Sequence, residues 1–350
     1  MHRIVIDAMG GDFAPQVPVE GAVRALEAYD DIHALIVGPE DLVREELAKY
    51  PIAPRERLEV VHASEFITMD ESPGVALRRK KDSSIKVGLQ LVKDNRADAF
   101  ISAGNTGAVM GGALLTLRMM PGVAKAAIAT FLPTLSGTSI MLDVGANVDC
   151  RPEHILQFAL MGKSYARYVL NQPHPTVGIL SIGEEESKGN DVTRQTYQLL
   201  RNCHLIDFKG NVEGKEVYKG VVDVIACDGF TGNVALKVSE SLAVMISTML
   251  KEELGRGWFN KLGAALSLGA LNRLKKRLDY TEYGGAPLLG VNGAVFISHG
   301  SSSPHAIMNA FRAARIYVER EVNQHIYDDI AKTFAQLKDD QEGEPDSREL

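Results

Sequence analysis

The chain has 350 residues, 45% hydrophobic and 24% charged, with a formal net charge of −7, a make-up that supports a sizeable core and excludes wholesale disorder. The acidic balance argues against a general nucleic-acid binder, which needs a basic surface for phosphate contacts. Three cysteines, Cys150, Cys203 and Cys227, are too few for a disulfide scaffold and lack zinc-site spacing, which fits a reducing compartment.

The opening "MHRIVIDAMGGDFAP" goes straight into a strand pattern rather than a secretory signal. Its loop carries Asp7, Gly10 and Gly11, and a helix is expected over about Pro18–Tyr29. "HALIVG", His33–Gly38, precedes a helix from about Pro39 to Lys49. "LRRKKDSSIKVG", Leu77–Gly88, is the densest basic run. "ADAFISAGNTGAVMGGALLTL" predicts a strand ending at Ser102, a loop with Gly104 and Asn105, and a helix from near Thr106 and Gly107. "TSIMLDVGAN" puts Asp143 and Asn147 between a strand and a helix. "TVGILSIGEEESKGNDV" reads as a strand over Thr176–Ile182, a loop with Lys188 and Asn190, and a helix over Val192–Leu200. "VDVIACDGFTGNVALK" ends a strand at Cys227 and presents Asp228 and Asn233. "GAVFISHGSSSPHAIMNAF" closes the series with His299 and Ser301–Ser303. The charged residues 338–350 are expected to be a disordered tail.

Strands alternating with helices predict an α/β fold: a doubly wound, mostly parallel sheet in three αβα layers, forming one unit over residues 1–337. In such a sheet every strand-to-helix loop opens on the carboxyl edge, where ligands bind. The expectation is therefore that all these loop residues share one rim. Glycine-rich and asparagine-rich turns at helix starts offer backbone N–H groups to an anion, or simply make tight turns and caps. For any one loop the cap is the stronger reading; for the set on one rim, the anion site.

Several familiar motifs fail. "MGKS", Met161–Ser164, has Gln157 where a P-loop needs glycine, and it lies inside a helical pattern. No strict dinucleotide fingerprint follows a strand, and neither H-E-x-x-H nor G-x-S-x-G occurs. No metal site is expected; His299 and His305 read as rim or capping residues. Cys227 reads as a buried hydrophobe before it reads as a nucleophile.

The segment "GRGWFNKLGAALSLGALNRLKKRLDY", residues 255–280, breaks the alternation. Trp258, Leu262 and Leu266 share one helical face, and Leu271 and Leu274 share another, with Phe259 and Leu268 adding apolar surface. Arg256, Lys261, Arg273, Lys275, Lys276 and Arg277 surround them. The reading is a protruding hairpin of two short amphipathic helices that lies on an anionic membrane surface, the alternative being a hairpin buried between subunits. No uninterrupted apolar run reaches the ~20 residues of a spanning helix.

The motifs "IDAMGGDFAP", "DESPGVALRRKKDSSI", "ISAGNTGAVMGGAL", "LDVGAN", "IGEEESKGND", "CDGFTGNVALK", "YGGAPLLGVNG" and "ISHGSS" follow one another from end to end. Together they closely resemble the PlsX family of bacterial phosphate acyltransferases, over about Arg3–Lys332. The resemblance implies a sheet like that of isocitrate and isopropylmalate dehydrogenases and phosphotransacetylase. It implies a homodimer that needs no metal or nicotinamide cofactor. It also implies synthesis of acyl phosphate from acyl-acyl carrier protein and inorganic phosphate for phospholipid synthesis. It implies further that the product passes to a membrane glycerol-3-phosphate acyltransferase, and that the enzyme is cytoplasmic and peripherally bound to the inner face of the cell membrane. Within the family's motifs, Lys188 and Asp228 match the residues held to matter for activity. Phe13 stands where relatives often carry histidine, which argues against a general-base role at that position.

On this reading Lys188 neutralises phosphate or the oxyanion. Asp7, Gly10, Gly11, Gly104, Asn105, Thr106, Gly107, Asp143, Asn147, Asn190, Asn233 and His299 line the substrate site. Asp228 either holds a donor, takes a proton from monoanionic phosphate, or merely caps the next helix. The basic run either receives the acidic carrier protein through Arg78 and Arg79, or lines the phosphate pocket through Lys81, Ser83 and Ser84. A dehydrogenase of related fold and a non-catalytic membrane-associated scaffold are the competing readings.

Overall fold

The computed structural model describes residues 1–51, 55–278 and 284–342, with side chains for all of these except residues 55, 275–278 and 337–342. The elements are β1 (His2–Asp7), α1 (Gln16–Ala28), β2 (Ile32–Gly38), α2 (Glu40–Leu47), β3 (Leu58–His62), α3 (Pro73–Arg79), α4 (Ser84–Lys93), β4 (Ala99–Ser102) and α5 (Thr106–Thr116). The hairpin β5 (Ala127–Thr134) and β6 (Gly137–Leu142) follows, then α6 (Pro152–Tyr168), β7 (Thr176–Ser181), α7 (Asp191–Asn202), β8 (Asp207–Glu213) and β9 (Val224–Ala226). The remainder is α8 (Gly229–Gly255), α9 (Gly257–Leu266), α10 (Leu268–Leu278), β10 (Ala286–Leu289), β11 (Ala294–Ile297), α11 (Pro304–Glu319) and α12 (Val322–Glu342). Residues 338–342, expected in a disordered tail, continue the last helix, and residues 343–350 lie outside the described residues.

The strands form one sheet in the order β3-β2-β1-β4-β11-β10-β5-β6-β9-β7-β8. Successive residues of β1 go to opposite cores: Ile4 and Ile6 join one apolar cluster and Val5 the other. This period-2 division explains why the strands read as continuous apolar runs. One core holds residues of α1, α2, α6, α7, α11 and α12, and the other those of α3, α4 and α5. The αβα layering is as expected.

The sheet is also mostly parallel, as expected, but its parallel strands fall into two flanks of opposite direction. The strands β3, β2, β1, β4 and β11 run parallel. β10 is antiparallel to both β11 and β5, and β6 is antiparallel to β5. β9, β7 and β8 then run parallel to β6. Three reversals leave the second flank, β6-β9-β7-β8, opposed to the first. The carboxyl ends of the two flanks therefore lie on opposite edges of the sheet, and the expected single rim is two rims. Five strands separate β4 from β7, a path of about 29 Å along the sheet at ~4.8 Å per neighbour.

Candidate functional site

The first rim is built by β1, β4 and β11. Asp7, at the end of β1, is fully buried and accepts from Ser102 Oγ at 2.7 Å and Met9 N at 3.0 Å. The Ser84 hydroxyl faces the same carboxylate but falls outside hydrogen-bond geometry. Burial pushes the Asp7 carboxyl above its usual range, against the opposing pull of Ser84, Ser102 and Met9. Ser102 also accepts from Gly104 N at 3.0 Å, which pins the turn into α5. A Cβ at Gly10 would stand 2.7 Å from Gly104 N, so the two glycine loops touch backbone to backbone. Gly11 takes φ +104°, a left-handed conformation suited to glycine, and Asp12 N beyond it donates to Gly300 O at 2.8 Å. These contacts bring the loops after β1, β4 and β11 together.

Two serines stand at the start of α4. Ser83 and Ser84 are both buried, and neither hydroxyl has a hydrogen-bond partner. A hydroxyl left without a partner in an interior is costly, which makes the pair candidates for contact with a ligand or a bound water. The adjacent start of α5 has a different balance. Asn105 caps it by accepting from Ala108 N and spends its amide on Met69 O and Glu71 O, both at 3.0 Å. Thr106 is exposed, and a Cβ at Gly107 would press on Pro73 at 2.7 Å. His299 is exposed and its Nδ1 meets Ser301, as a rim residue would. Arg78, Arg79 and Lys81 are exposed, whereas Lys80 is tied to Glu71 at 2.7 Å.

The second rim is built by β6, β9 and β7. Asp143 is buried and its carboxylate accepts from the backbone N–H groups of Ile128, Gly145, Ala146 and Asn147 and from Asn147 Nδ2. Burial raises its pKa despite those donors. The second bond of the Asn147 amide goes to Ala126 O at 2.6 Å. Asp143 and Asn147, expected to face substrate, thus spend their polar groups on the loop itself. Asp228 is the N-cap of α8, accepting from Thr231 N at 2.8 Å and Thr231 Oγ1 at 2.7 Å. Asn190 likewise caps α7 by accepting from Thr193. Asn233 is exposed beside Gly145.

Lys188 is exposed and makes no ion pair or side-chain hydrogen bond among the described residues. Its loop folds back on β7: a Cβ at Gly189 would lie 3.0 Å from Ser181 Oγ, and one at Gly183 would lie 2.9 Å from Lys188 Cγ. The neighbouring glutamates do not hold the ammonium. Glu184 pairs with Lys215 and Glu186 with Arg201. The lysine of the charge cluster is therefore free, but it belongs to the second rim, with Asp228, and not to the rim of Asp7 and Ser84. Sequence reading passed over Lys125, a second cation at this rim, whose Nζ donates to Asp149 O at 2.7 Å; it precedes a strand, where no loop motif marks it.

Other expectations resolve simply. Lys163 and Ser164 of "MGKS" bond Asp329 of α12, a structural tie. Cys227 is buried and its thiol is pushed well up by desolvation, so it is no nucleophile. No cluster of metal-ligating side chains occurs among the described residues.

The family model for "Fatty acid synthesis protein" matches residues 2–325. The chain belongs to that family. It is 49% identical over 332 residues to a phosphate acyltransferase of Geotalea daltonii, covering 95% of each chain. It is 49% identical over 329 residues to a phosphate acyltransferase of Alkaliphilus oremlandii, covering 94% of this chain and 97% of the other. Among solved structures, a phosphotransacetylase from Streptococcus pyogenes superposes with a TM-score of 0.61 at 16% identity, over 90% of this chain and 94% of the other. EutD phosphotransacetylase from Staphylococcus aureus gives 0.59 at 16% identity over the same shares. These two likenesses establish the shared fold.

Proposed function

We propose that this chain is an acyltransferase that moves an acyl group from acyl-acyl carrier protein to inorganic phosphate, releasing acyl phosphate for phospholipid synthesis. Its relatives at 49% identity are named phosphate acyltransferases, and one observation supports a phosphate seat on the first rim: the buried hydroxyls of Ser83 and Ser84 at the start of α4, without hydrogen-bond partners. Helix starts and hydroxyl donors suit a phosphate.

In the reaction a phosphate oxygen attacks the thioester carbonyl carbon. The C–O bond forms, the C–S bond breaks, and the leaving thiolate takes the proton that monoanionic phosphate gives up. A thiol with a pKa near ~8.5 leaves without a strong acid. The protein supplies position, worth ~7–11 kcal/mol for two reactants held in line, and charge. The free ammonium of Lys188 neutralises the oxyanion, a contribution of ~3 kcal/mol for one such donor. Asp228 keeps the start of α8 in place beside it.

The partners follow from surface chemistry. Arg78, Arg79 and Lys81 are exposed and suit an acidic carrier protein. Trp258 stacks on Phe259 at 3.6 Å, and Leu262, Leu266, Leu268 and Leu274 are exposed on α9 and α10, which meet at Ser267. Arg256, Lys261 and Arg273 accompany them, and the side chains of Lys275, Lys276 and Arg277 lie outside the described residues. This hairpin suits the interface of an anionic membrane, where a glycerol-3-phosphate acyltransferase would take up the product. α8 is itself long and apolar enough to cross a membrane, a length the uninterrupted-run criterion missed because the Lys237–Glu240 pair breaks the apolar run. Its first turn is built into the α/β body through buried Gly229 and Gly232, and we read it as the helix of a homodimer in the cytoplasm. Phosphate-dependent loss of acyl thioester tests the activity; thioester stable in the presence of enzyme and phosphate would end it.

A further inference from the structure

The acyl-transfer chemistry puts the thioester carbonyl at the Lys188 ammonium, and the hydrocarbon attached to that carbonyl must then leave water within a few bonds of it. The end of β7 offers it a place. A cavity of about 370 Å³ opens there, lined by Leu180 and Ser181 of β7, Val217 and Tyr218 beyond β8, and Ala235 and Val238 of α8. That volume lies within the ~300–1,000 Å³ of small-molecule sites. Ala235 and Val238 stand three residues apart, on one helical face. Val217 is buried, Leu180 and Ala235 are half-buried, and Tyr218 and Val238 are exposed, so the walls run from a covered floor to an open mouth.

The lining suits a chain of methylenes. It contains no charged side chain, so neither phosphate nor a nucleotide finds a counter-charge in it. Ser239, also in the wall, spends its hydroxyl on Ala235 O at 2.8 Å. The charges that flank the lining in sequence are matched among themselves: Lys215 with Glu184 and Glu213, Lys219 with Glu216, and Lys237 with Glu240. An apolar hollow inside a rim of polar groups is the form of a ligand groove. The hollow also adjoins the cation. Gly189, next to Lys188, packs on the cavity residue Ser181, where a Cβ would stand 3.0 Å from Ser181 Oγ. Asn211 Nδ2 ties the same loop to β8 by donating to Glu185 O at 2.7 Å.

Resting on the acyl-transfer reading, we propose that this cavity is the seat of the acyl chain: the carbonyl stands at Lys188, and the hydrocarbon runs from it past the end of β7, between α8 and the loop after β8. Ala235 and Tyr218 then set the chain length that the enzyme accepts. Each methylene buried in the cavity contributes about fourfold, from ~0.8 kcal/mol per CH₂, and the gain stops when the cavity is full.

Chain-length kinetics test this. The reference profile is kcat/KM of the wild-type protein with octanoyl, dodecanoyl and hexadecanoyl thioesters of acyl carrier protein at saturating phosphate. Ala235→Phe puts a ring into the cavity in place of about two methylenes, so the ratio of hexadecanoyl to octanoyl kcat/KM should fall about tenfold or more. Tyr218→Ala, at an exposed loop position where substitution is tolerated, removes part of a wall and should shift the profile toward longer chains. Folded variants whose profiles both match the wild type overturn the proposal. A changed oligomeric mass with an unaltered profile would assign the hollow to a second copy of the chain and also overturn it.

A second readout needs no turnover. Hexadecanoic acid carrying a diazirine at its far end, irradiated with the wild-type protein, should label peptides that hold Val217 and Tyr218 or Ala235 and Val238, and unlabelled hexadecanoic acid should compete. Label confined to α9 and α10 would put the chain on the hairpin and overturn the cavity. Labelled cavity peptides in a protein that transfers no acyl group to phosphate would count only against the acyl-transfer reading, whereas transfer with the cavity peptides unlabelled would count only against the cavity.

Discussion

Gly229 sits so close to Asp143 that a Cβ there would stand 2.7 Å from the Asp143 carboxylate, and 2.6 Å from Asn147 O. Gly232, one turn on, is tighter still, with a Cβ position 2.0 Å from Asp143 O. The loop after β6 and the start of α8 are thus one packed unit. Gly229→Ala or Gly232→Ala must displace backbone, and each should cost about 1–3 kcal/mol of stability and lower turnover as the Asp228 rim shifts. Urea unfolding reads the first effect; wild-type stability would show that α8 has slack at its start.

Lys188→Ala and Asp228→Asn separate chemistry from folding. Lys188 is exposed and unpaired, so its loss should change stability by less than about 0.5 kcal/mol while lowering turnover by roughly a hundredfold. Asp228→Asn keeps an N-cap acceptor, whereas Asp228→Ala also forfeits about 1 kcal/mol of cap. Equal activity in the asparagine variant and the wild type would leave Asp228 with the capping role alone.

The cradle should be legible in phosphate kinetics. Ser83→Ala removes a hydroxyl without a partner in the protein, and Ser84→Ala one that faces the Asp7 carboxylate outside hydrogen-bond geometry, so the first should leave stability unchanged and the second should cost no more than about 1 kcal/mol. Each should raise the Michaelis constant for phosphate several-fold, about 1 kcal/mol per lost bond. An unchanged constant in the double variant would move the phosphate elsewhere.

Stability should carry two opposing pH terms. Burial pushes the Asp98 carboxyl up, but the Arg3 pair at 2.7 Å outweighs it and holds the pKa below the usual range. Its contribution is therefore present above the unfolded value near ~3.9 and is lost as pH falls through the lower folded value. Asp7 and Asp143 are raised by burial, so they favour the fold at acid pH and lose that contribution as pH rises above ~3.9. Asp98→Asn should narrow its gap from wild type below pH ~4; a gap constant with pH would contradict the assignment.

Leu268→Glu with Leu271→Glu should abolish binding to vesicles of anionic phospholipid while leaving the rest of the fold intact, because the hairpin makes little contact with the sheet. Retained vesicle binding would remove α9 and α10 from any membrane role.

The strand–loop–helix units, the end of β4 at Ser102, the start of α5 at Thr106 and the paired helices α9 and α10 were all readable from apolar period and capping residues. The polarity of the sheet was not. β10 and β11 have four residues each and are joined across "GVNG", too short for alternation to declare direction. β5 contains Pro133, which argues against a central strand, yet β10 pairs only with Ala127 and Ile128, so the proline lies where β5 has one neighbour. Two hairpins missed in this way turned one expected rim into two. At the rims, Asn105, Asn147, Asn190 and Asp228 proved to be spent on caps and loop bonds, because residue type alone does not tell a donor to substrate from a donor to backbone. The hydroxyls of Ser83 and Ser84 emerged only with burial in view.

The most direct measurement follows acyl-acyl carrier protein with purified protein while inorganic phosphate is varied, reading free thiol and trapping acyl phosphate as the hydroxamate. The account predicts that thiol release rises with phosphate, saturates, and is matched one for one by hydroxamate. Thiol release that ignores phosphate, or none at all from folded protein, would contradict it.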